Sequence, residues 1–420
     1  MFRKNINNRK LSARRLMGIT LAAFLGLSLV STAVYLISGY ITDPAAAFFE
    51  SVSAISTTGA SIFKDTSSLP LWLLIFRSFS QWIGGGATLV FLACLVSNMD
   101  SSEGGLSRSD DASGALYRTG IRFTAIARRL LLTYVIMTVV EAVLLFICGF
   151  TAPASICLSL STMSTGGMLP AGAFPSGMGE TVIVIFMMLT CINYTLYYHA
   201  IKKHFDKFDK NTELYALLWI IIGASVIITA DLAISGTYDL RQSVEYGIFH
   251  TVSSLTTTGF KLADLSTWPS FSKILITVLS FIGGSSCSVG SGIKLMRLVI
   301  VLRIISKSFT IRIHPRAVVS TKLNGRSLHT TASSAIANFF LTYFAVYLLG
   351  VFVIAFESED VVSCFTVSAA LLNNVGIAID STIDYALVSP VMQVLMSVLM
   401  LAGRLELYTV MLPFSRNDRF

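Results

Sequence analysis

Four short stretches decide how this chain folds: Ser53–Ile62 (SAISTTGASI), Leu160–Leu169 (LSTMSTGGML), Ser254–Leu262 (SLTTTGFKL) and Leu371–Ile379 (LLNNVGIAI). In each, small polar residues run into a glycine, read here as Gly59, Gly166, Gly259 and Gly376. Such a recurrence marks a repeated unit and takes precedence over local assignments. The flanks recur as well. A moderately apolar segment too short to cross a bilayer precedes each glycine, and a proline follows it: Pro70, Pro175, Pro269 and Pro390. A long apolar run succeeds each proline. Proline suits the first turn of a helix, where its missing N–H would have no partner anyway. Each unit therefore reads as long helix, short re-entrant helix, polar loop, long helix. The units fall at residues 1–100, 101–211, 212–326 and 327–420. The expected fold class is an all-α membrane protein with four helix–pore loop–helix repeats around a pseudo-fourfold central pore.

Composition points the same way. The chain is 54% hydrophobic and 13% charged, against about 25% charged in a soluble domain. Runs such as Leu16–Gly39, Leu130–Gly149, Leu214–Ile234 and Val391–Leu412 are long enough to span. The first of these is too long for a secretory signal and no A-x-A site closes it, so it reads as a retained helix. With two spans per unit, the basic clusters at Arg3–Arg15, Arg108–Arg129, Lys202–Lys210, Arg303–Arg326 and Arg416/Arg419 all fall on one side. The positive-inside rule makes that side, and both termini, cytoplasmic. The net charge of +8 is then a topology signal and not a nucleic-acid footprint. The six cysteines form no CxxC pair and the five histidines no metal-ligand spacing. With no nucleophile–base pair and no phosphate loop, an enzyme is not expected.

Non-helical backbone cannot face lipid, so four loops at membrane depth must face protein or a water-filled path. The simplest arrangement sets them around one axis, where carbonyl oxygens replace the hydration shell of a cation. No carboxylate lies within the four motifs, which favours a carbonyl filter over an acidic ring. Asp43-Pro44 is a clear helix start, and Asp239 and Asp360 are plausible caps. The short helices then point their partially negative C-terminal ends at the axis. In the third unit the stretch Gly283–Gly292, with Gly283, Gly284, Gly290 and Gly292, should break the second long helix below the filter and act as a movable gate. In the last span, Arg404 either projects into the pore as a barrier to cations, or snorkels to the cytoplasmic rim or pairs with a carboxylate. Glu141, inside another long helix, is a candidate partner or coupling group.

The residues Ser56–Ser61 (STTGAS), Arg77–Gly86 (RSFSQWIGGG), Ser161–Gly167 (STMSTGG), Thr256–Phe260 (TTTGF), Phe281–Arg297 (FIGGSSCSVGSGIKLMR), Leu372–Gly376 (LNNVG) and Gly403–Glu406 (GRLE) together resemble the Trk/Ktr/HKT superfamily of potassium transporters, bacterial TrkH/KtrB type. The resemblance implies a potassium filter lined by Thr57, Thr58, Ser164, Thr165, Thr257, Thr258, Asn374 and Val375 with the four glycines. It implies that Gly283–Gly292 is the family's intramembrane gating loop and that Arg404 faces the permeation path. It also implies a bacterial cytoplasmic (inner) membrane location, a homodimer with one pore per subunit, and a cytoplasmic nucleotide-binding regulatory subunit of the TrkA/KtrA type. Potassium is the transported ion, and no cofactor is implied in this chain. TrkH-type proteins usually carry an extra N-terminal helix pair, whereas this chain reaches its first filter glycine at position 59 and is KtrB-like in length. The fourth loop reads VGIAID where the family usually has Pro-Gly after the glycine, and Ser291 stands in a run usually kept as glycine. Lys64 and Lys261 closely follow the first and third loops. Potassium uptake is the leading reading; a less selective Na+/K+ conductor, a cation-coupled K+ symporter and an organic-solute permease are the alternatives.

Overall fold

The computed structural model describes residues 13–63, 65–98, 123–169, 177–201, 203, 211–314, 316, 322–323, 326–327, 330–379 and 381–411. Lys64, Pro175 and most of the basic clusters lie outside the described residues. Helices come in four successive groups. The first holds α1 (Ala13–Ser38), α2 (Pro44–Ile55) and α3 (Leu71–Asn98). The second holds α4 (Phe123–Ile147), α5 (Ala152–Met163), α6 (Met178–Cys191) and α7 (Tyr194–Ile201). The third holds α8 (Thr212–Ile234), α9 (Leu240–Leu255), α10 (Ser270–Ile282) and α11 (Leu295–Ile313). The fourth holds α12 (Thr330–Ile354), α13 (Val361–Leu372), α14 (Pro390–Arg404) and α15 (Leu407–Met411). A small antiparallel hairpin, β1 (Lys322–Leu323) with β2 (Arg326–Ser327), links α11 to α12.

The leading helix of each group, α1, α4, α8 and α12, is long and apolar enough to cross a membrane. Only 28–33% of each such stretch is buried, so most of its apolar surface faces outward, where lipid would cover it. The short helices α2, α5, α9 and α13 have 12, 12, 16 and 12 residues, below the roughly 20 that a span needs. Asp43 caps α2 by accepting from the amides of Ala45 and Ala46, with Pro44 in the first turn. Asp360 caps α13 through Val362 and Ser363 in the same way. Asp239 holds the cap position of α9, but its side chain makes no capping bond.

The groups close on themselves. α3 packs on α5, α6 on α9, α10 on α13, and α14 returns to α2. Each group thus leans a second helix on the short helix of the next. The largest apolar cluster, with Phe24, Phe49, Phe339, Leu371 and Met400, sits behind α2 and α13. A second, with Ile228, Phe249 and Leu279, sits behind α9. This packing makes the short helices rigid supports for the loops that follow them.

The third group is interrupted between α10 and α11. α10 ends at Ile282 and Gly283 follows at φ 69; α11 resumes after Lys294 at φ 75. Two further breaks go beyond the sequence reading. Between α6 and α7, Cys191 O accepts from Ser285 N (3.0 Å) and Tyr194 N donates to Cys287 O (3.2 Å). These groups leave the helical ladder to serve the Gly283–Gly292 segment. Between α14 and α15, Glu406 stands at φ 56, so the run from Val391 to Leu412 is not one continuous helix.

Candidate pore loops and gate

Each short helix ends in the same backbone motif. After α2, the Thr57 amide donates to Ala54 O (3.0 Å) and the Thr58 amide to Ser53 O (2.9 Å). After α5 the pairs are Thr165 to Thr162 (2.9 Å) and Gly166 to Ser161 (2.8 Å). After α9 they are Thr257 to Ser254 (3.1 Å) and Thr258 to Ser253 (2.9 Å). After α13 they are Asn374 to Leu371 (3.3 Å) and Val375 to Ala370 (3.0 Å). This is the Schellman arrangement, whose first residue past the cap is left-handed and usually glycine. Here it is Thr57 (φ 57), Thr165 (φ 55), Thr257 (φ 56) and Asn374 (φ 53). A left-handed non-glycine residue costs on the order of 1–2 kcal/mol, and such strain concentrates at functional sites.

Two residues further on comes a second left-handed position: Gly59 (φ 82), Gly167 (φ 73), Gly259 (φ 81) and Gly376 (φ 69). The second loop therefore corrects the sequence register. Gly167, not Gly166, is the counterpart of the other three glycines, and the equivalent triplet there is Thr165–Gly167 instead of Ser164–Gly166. Ser164 is the cap of α5, in ordinary helical backbone. Gly166 is glycine for another reason: a Cβ there would lie 2.4–2.7 Å from the side-chain amide of Gln81.

The four loops meet in a ring. A Cβ built on Gly59 would lie 2.3 Å from Gly166 O; on Gly167, 2.4 Å from Thr258 O; on Gly259, 1.7 Å from Val375 O; on Gly376, 2.3 Å from Thr58 O. Each left-handed glycine thus rests on a carbonyl of the next loop, and the fourth closes on the first. The absence of a side chain is what lets the backbones approach this closely.

The ring is braced from behind, mostly by residues whose roles the sequence reading left unassigned. Ser53 Oγ donates to Ala60 O (2.5 Å) and Ser253 Oγ to Phe260 O (2.8 Å), one bond repeated in the first and third loops. Glu50 and Arg77 form an ion pair (2.8 Å) with side chains 0% and 3% exposed. Glu50 also accepts from Ile62 N (3.0 Å) and Ser61 Oγ (3.1 Å), holding the chain just past Gly59. Gln81 Nε2 donates to Gly166 O (2.6 Å) while its Oε1 accepts from Ser161 Oγ (2.9 Å). Asn374 Nδ2 donates to Thr58 Oγ1 and to Met400 O, both 2.8 Å, tying the fourth loop to the first. The available signal was the polar set Arg77, Ser78, Ser80 and Gln81 inside the otherwise apolar α3.

The Gly283–Gly292 segment lies directly against the third loop. Ser291 N donates to Thr257 Oγ1 (2.8 Å), and a Cβ on Gly290 would stand 3.1 Å from Thr256 O. Gly283 and Gly292 pinch the base of the segment, since a Cβ on Gly283 would meet Ser291 O at 2.1 Å. Gly284 is closed in by Cys191 and Ser288. Glu213 accepts from Ser286 N (2.6 Å), and Lys294 Nζ donates to the carbonyls of Ser288 and Gly290. Arg404, 4% exposed, reaches the same segment: its Nη1 donates to Val289 O and to Ser291 Oγ, both at 2.8 Å. It is buried and does not snorkel, and among the described residues it pairs with no carboxylate. Glu406 pairs with Arg297 instead (2.7 Å), and Glu141 is fully buried. A Cβ on Gly403 would lie 1.8 Å from Leu372 O, so this glycine brings α14 against the end of α13 and fixes where Arg404 emerges.

Four re-entrant loops closed around one axis, with a buried length of irregular backbone against one of them, are the architecture of a pore-loop membrane protein. The family of cation transport proteins termed TrkH matches two overlapping stretches of the chain, residues 7–218 and 181–419. The chain belongs to the TrkH family of cation transport proteins. It is 30% identical over 384 residues to the Trk system potassium uptake protein TrkH of Escherichia coli K12, covering 89% of this chain and 79% of that one. To the protein of the same name from Halomonas elongata it is 28% identical over 390 residues, with the same coverage. The crystal structure of the potassium transporter TrkH from Vibrio parahaemolyticus superposes with a TM-score of 0.88 at 27% identity, covering 97% of this chain and 86% of that one.

Proposed function

We propose that this chain takes up potassium across the bacterial cytoplasmic membrane through the axis of the four loops. Main-chain oxygens of Thr57–Gly59, Thr165–Gly167, Thr257–Gly259 and Asn374–Gly376 strip and replace the ion's hydration shell. The Gly283–Gly292 segment is the gate, and Arg404 holds it closed. The single observation that carries this reading is the cyclic contact of four left-handed glycines with four neighbouring carbonyls. Relatives matched over 79% of their length are named as potassium uptake proteins, which supports potassium as the ion. Both termini are cytoplasmic, the working unit is a homodimer, and a cytoplasmic nucleotide-binding subunit of the TrkA/KtrA type acts on the gate.

Expression in a bacterium lacking potassium uptake tests the proposal. Growth at low potassium is the expected result; an inserted protein that restores none refutes uptake. Rubidium and sodium fluxes in proteoliposomes, with and without the cytoplasmic subunit, then separate selective from unselective conduction. Flux that runs down a rubidium gradient alone, with no proton or sodium gradient, is expected. A strict requirement for either gradient would instead establish coupled symport.

A further inference from the structure

The braces behind the first and third loops are built on the same plan but with different chemistry. His250 on α9 occupies the position relative to Ser253 that Glu50 on α2 occupies relative to Ser53. Glu50 holds Ile62 N with a carboxylate that is itself paired with Arg77. His250, 0% exposed, uses its ring. Its Nδ1 is 3.0 Å from Tyr246 O, and its Nε2 is 3.2 Å from Leu262 N and 3.4 Å from Ala263 N. A carbonyl only accepts and a backbone amide only donates. Nδ1 therefore carries the hydrogen, and Nε2 offers its lone pair to both amides. The contacts admit one state, the neutral Nδ1–H tautomer.

We propose that His250 is a positioning residue for ion selection: its neutral imidazole fixes the backbone just past Gly259, and its protonation releases that backbone. The inference rests on reading the third loop as part of the filter. A proton on Nε2 would point an N–H at two other N–H groups, so two attractive contacts become repulsive and residues 262–263 must move. The first loop is held instead by a carboxylate already paired with a guanidinium. Among the described residues, the charged groups on the surrounding elements are turned to other partners or carry the wrong sign. Lys261 on the loop itself opposes a second positive charge. Asp231 of α8 accepts from Ser272 Oγ (2.5 Å), and Lys273 of α10 donates to Ser266 O (2.7 Å). Asp264 is turned toward Ser266, and Glu180 of α6 lies beside Glu245 of α9. Trp268, with ring centroids 4.9 Å apart, covers one side of the imidazole.

The test measures rubidium and sodium fluxes in proteoliposomes held at equal pH on both sides, from about pH 7.5 down to about pH 3.5, reaching below the ordinary imidazole range because burial of the ring opposes its protonated form. The wild-type rubidium-over-sodium ratio is expected to fall severalfold through a single-proton transition. His250→Gln, whose Oε1 accepts from the same amides without titrating, is expected to keep its neutral-pH ratio throughout. His250→Ala is expected to show the low ratio at every pH. A flat wild-type profile, or His250→Gln titrating like the wild type, overturns the proposal. Hydrogen exchange of the peptide containing Leu262 and Ala263, corrected for intrinsic rate, gives a readout on the wild type alone. Protection lost in acid supports the proposal, and protection retained overturns it. Gly259→Ser keeps the two readings apart. If it leaves selectivity unchanged, the filter reading itself fails; if it relaxes selectivity while His250→Gln still titrates, only the role of His250 fails.

Discussion

Alanine at Gly167 and alanine at Gly166 should behave differently, although the two glycines are adjacent. Gly167 stands at φ 73, and its Cβ would lie 2.4 Å from Thr258 O. The left-handed backbone costs alanine on the order of 1–2 kcal/mol. The contact also falls about 1 Å short of ordinary van der Waals separation. A carbonyl that belongs to a Schellman turn cannot swing aside as a side chain can, so the second and third loops must part. Since about 1.4 kcal/mol corresponds to a tenfold change, strain of this size is enough to erase a tenfold preference between two ions. Gly166 is not left-handed, and the nearest atoms to its Cβ would be the end of the Gln81 side chain. Gln81 can rotate away, losing two hydrogen bonds worth about 1 kcal/mol each. The assay is rubidium against sodium flux in proteoliposomes, with the variants matched for insertion. Gly167→Ala is expected to lose about tenfold in the flux ratio. Gly166→Ala is expected to stay within about twofold of the wild type and to melt at a lower temperature. The opposite order would refute the register assigned to this loop. Unchanged ratios in both would remove the loop from the filter.

Arg404→Ala removes two hydrogen bonds from a charged donor to the Gly283–Gly292 segment. Such bonds contribute about 1.5–3 kcal/mol each, so flux without the cytoplasmic subunit should rise about tenfold or more; unchanged flux would separate the arginine from gating. Glu50→Gln leaves Arg77 buried without a counter-charge, a loss of about 3–5 kcal/mol. The protein should melt well below the wild type in detergent, and Glu50→Gln with Arg77→Met should recover part of the loss. Single and double variants that melt together would show the pair to be structurally idle.

Much of this architecture was legible because its determinants are local. The four polar motifs, Asp43-Pro44, Pro390 and the glycines of Gly283–Gly292 act through the backbone angles of the residues that carry them. What stayed hidden depends on distant partners. The chain breaks after Cys191 because Ser285 and Cys287, far along the sequence, claim its helical hydrogen bonds; nothing in Cys191–Tyr194 announces it. The register of STMSTGG was misread because two glycines adjoin. Only the end of α5 at Met163, and the space Gln81 takes beside Gly166, decide between them. Arg404 had two open readings because its surroundings come from α14 and the Gly283–Gly292 segment together. Glu50, Arg77 and His250 looked like isolated polar residues until the loops they hold were placed beside them.

The four corners of the ring are covalently joined yet chemically unequal: Thr-Thr-Gly, Thr-Gly-Gly, Thr-Thr-Gly and Asn-Val-Gly. A channel assembled from identical subunits must accept every substitution at all four corners at once. Here a change falls on one quarter only, so a bulky or titratable side chain can be tried at one position while three intact neighbours keep the aperture. If the four loops form the proposed filter, asymmetry of this kind lets one quarter specialise in sensing or gating while the other three keep their coordinating oxygens.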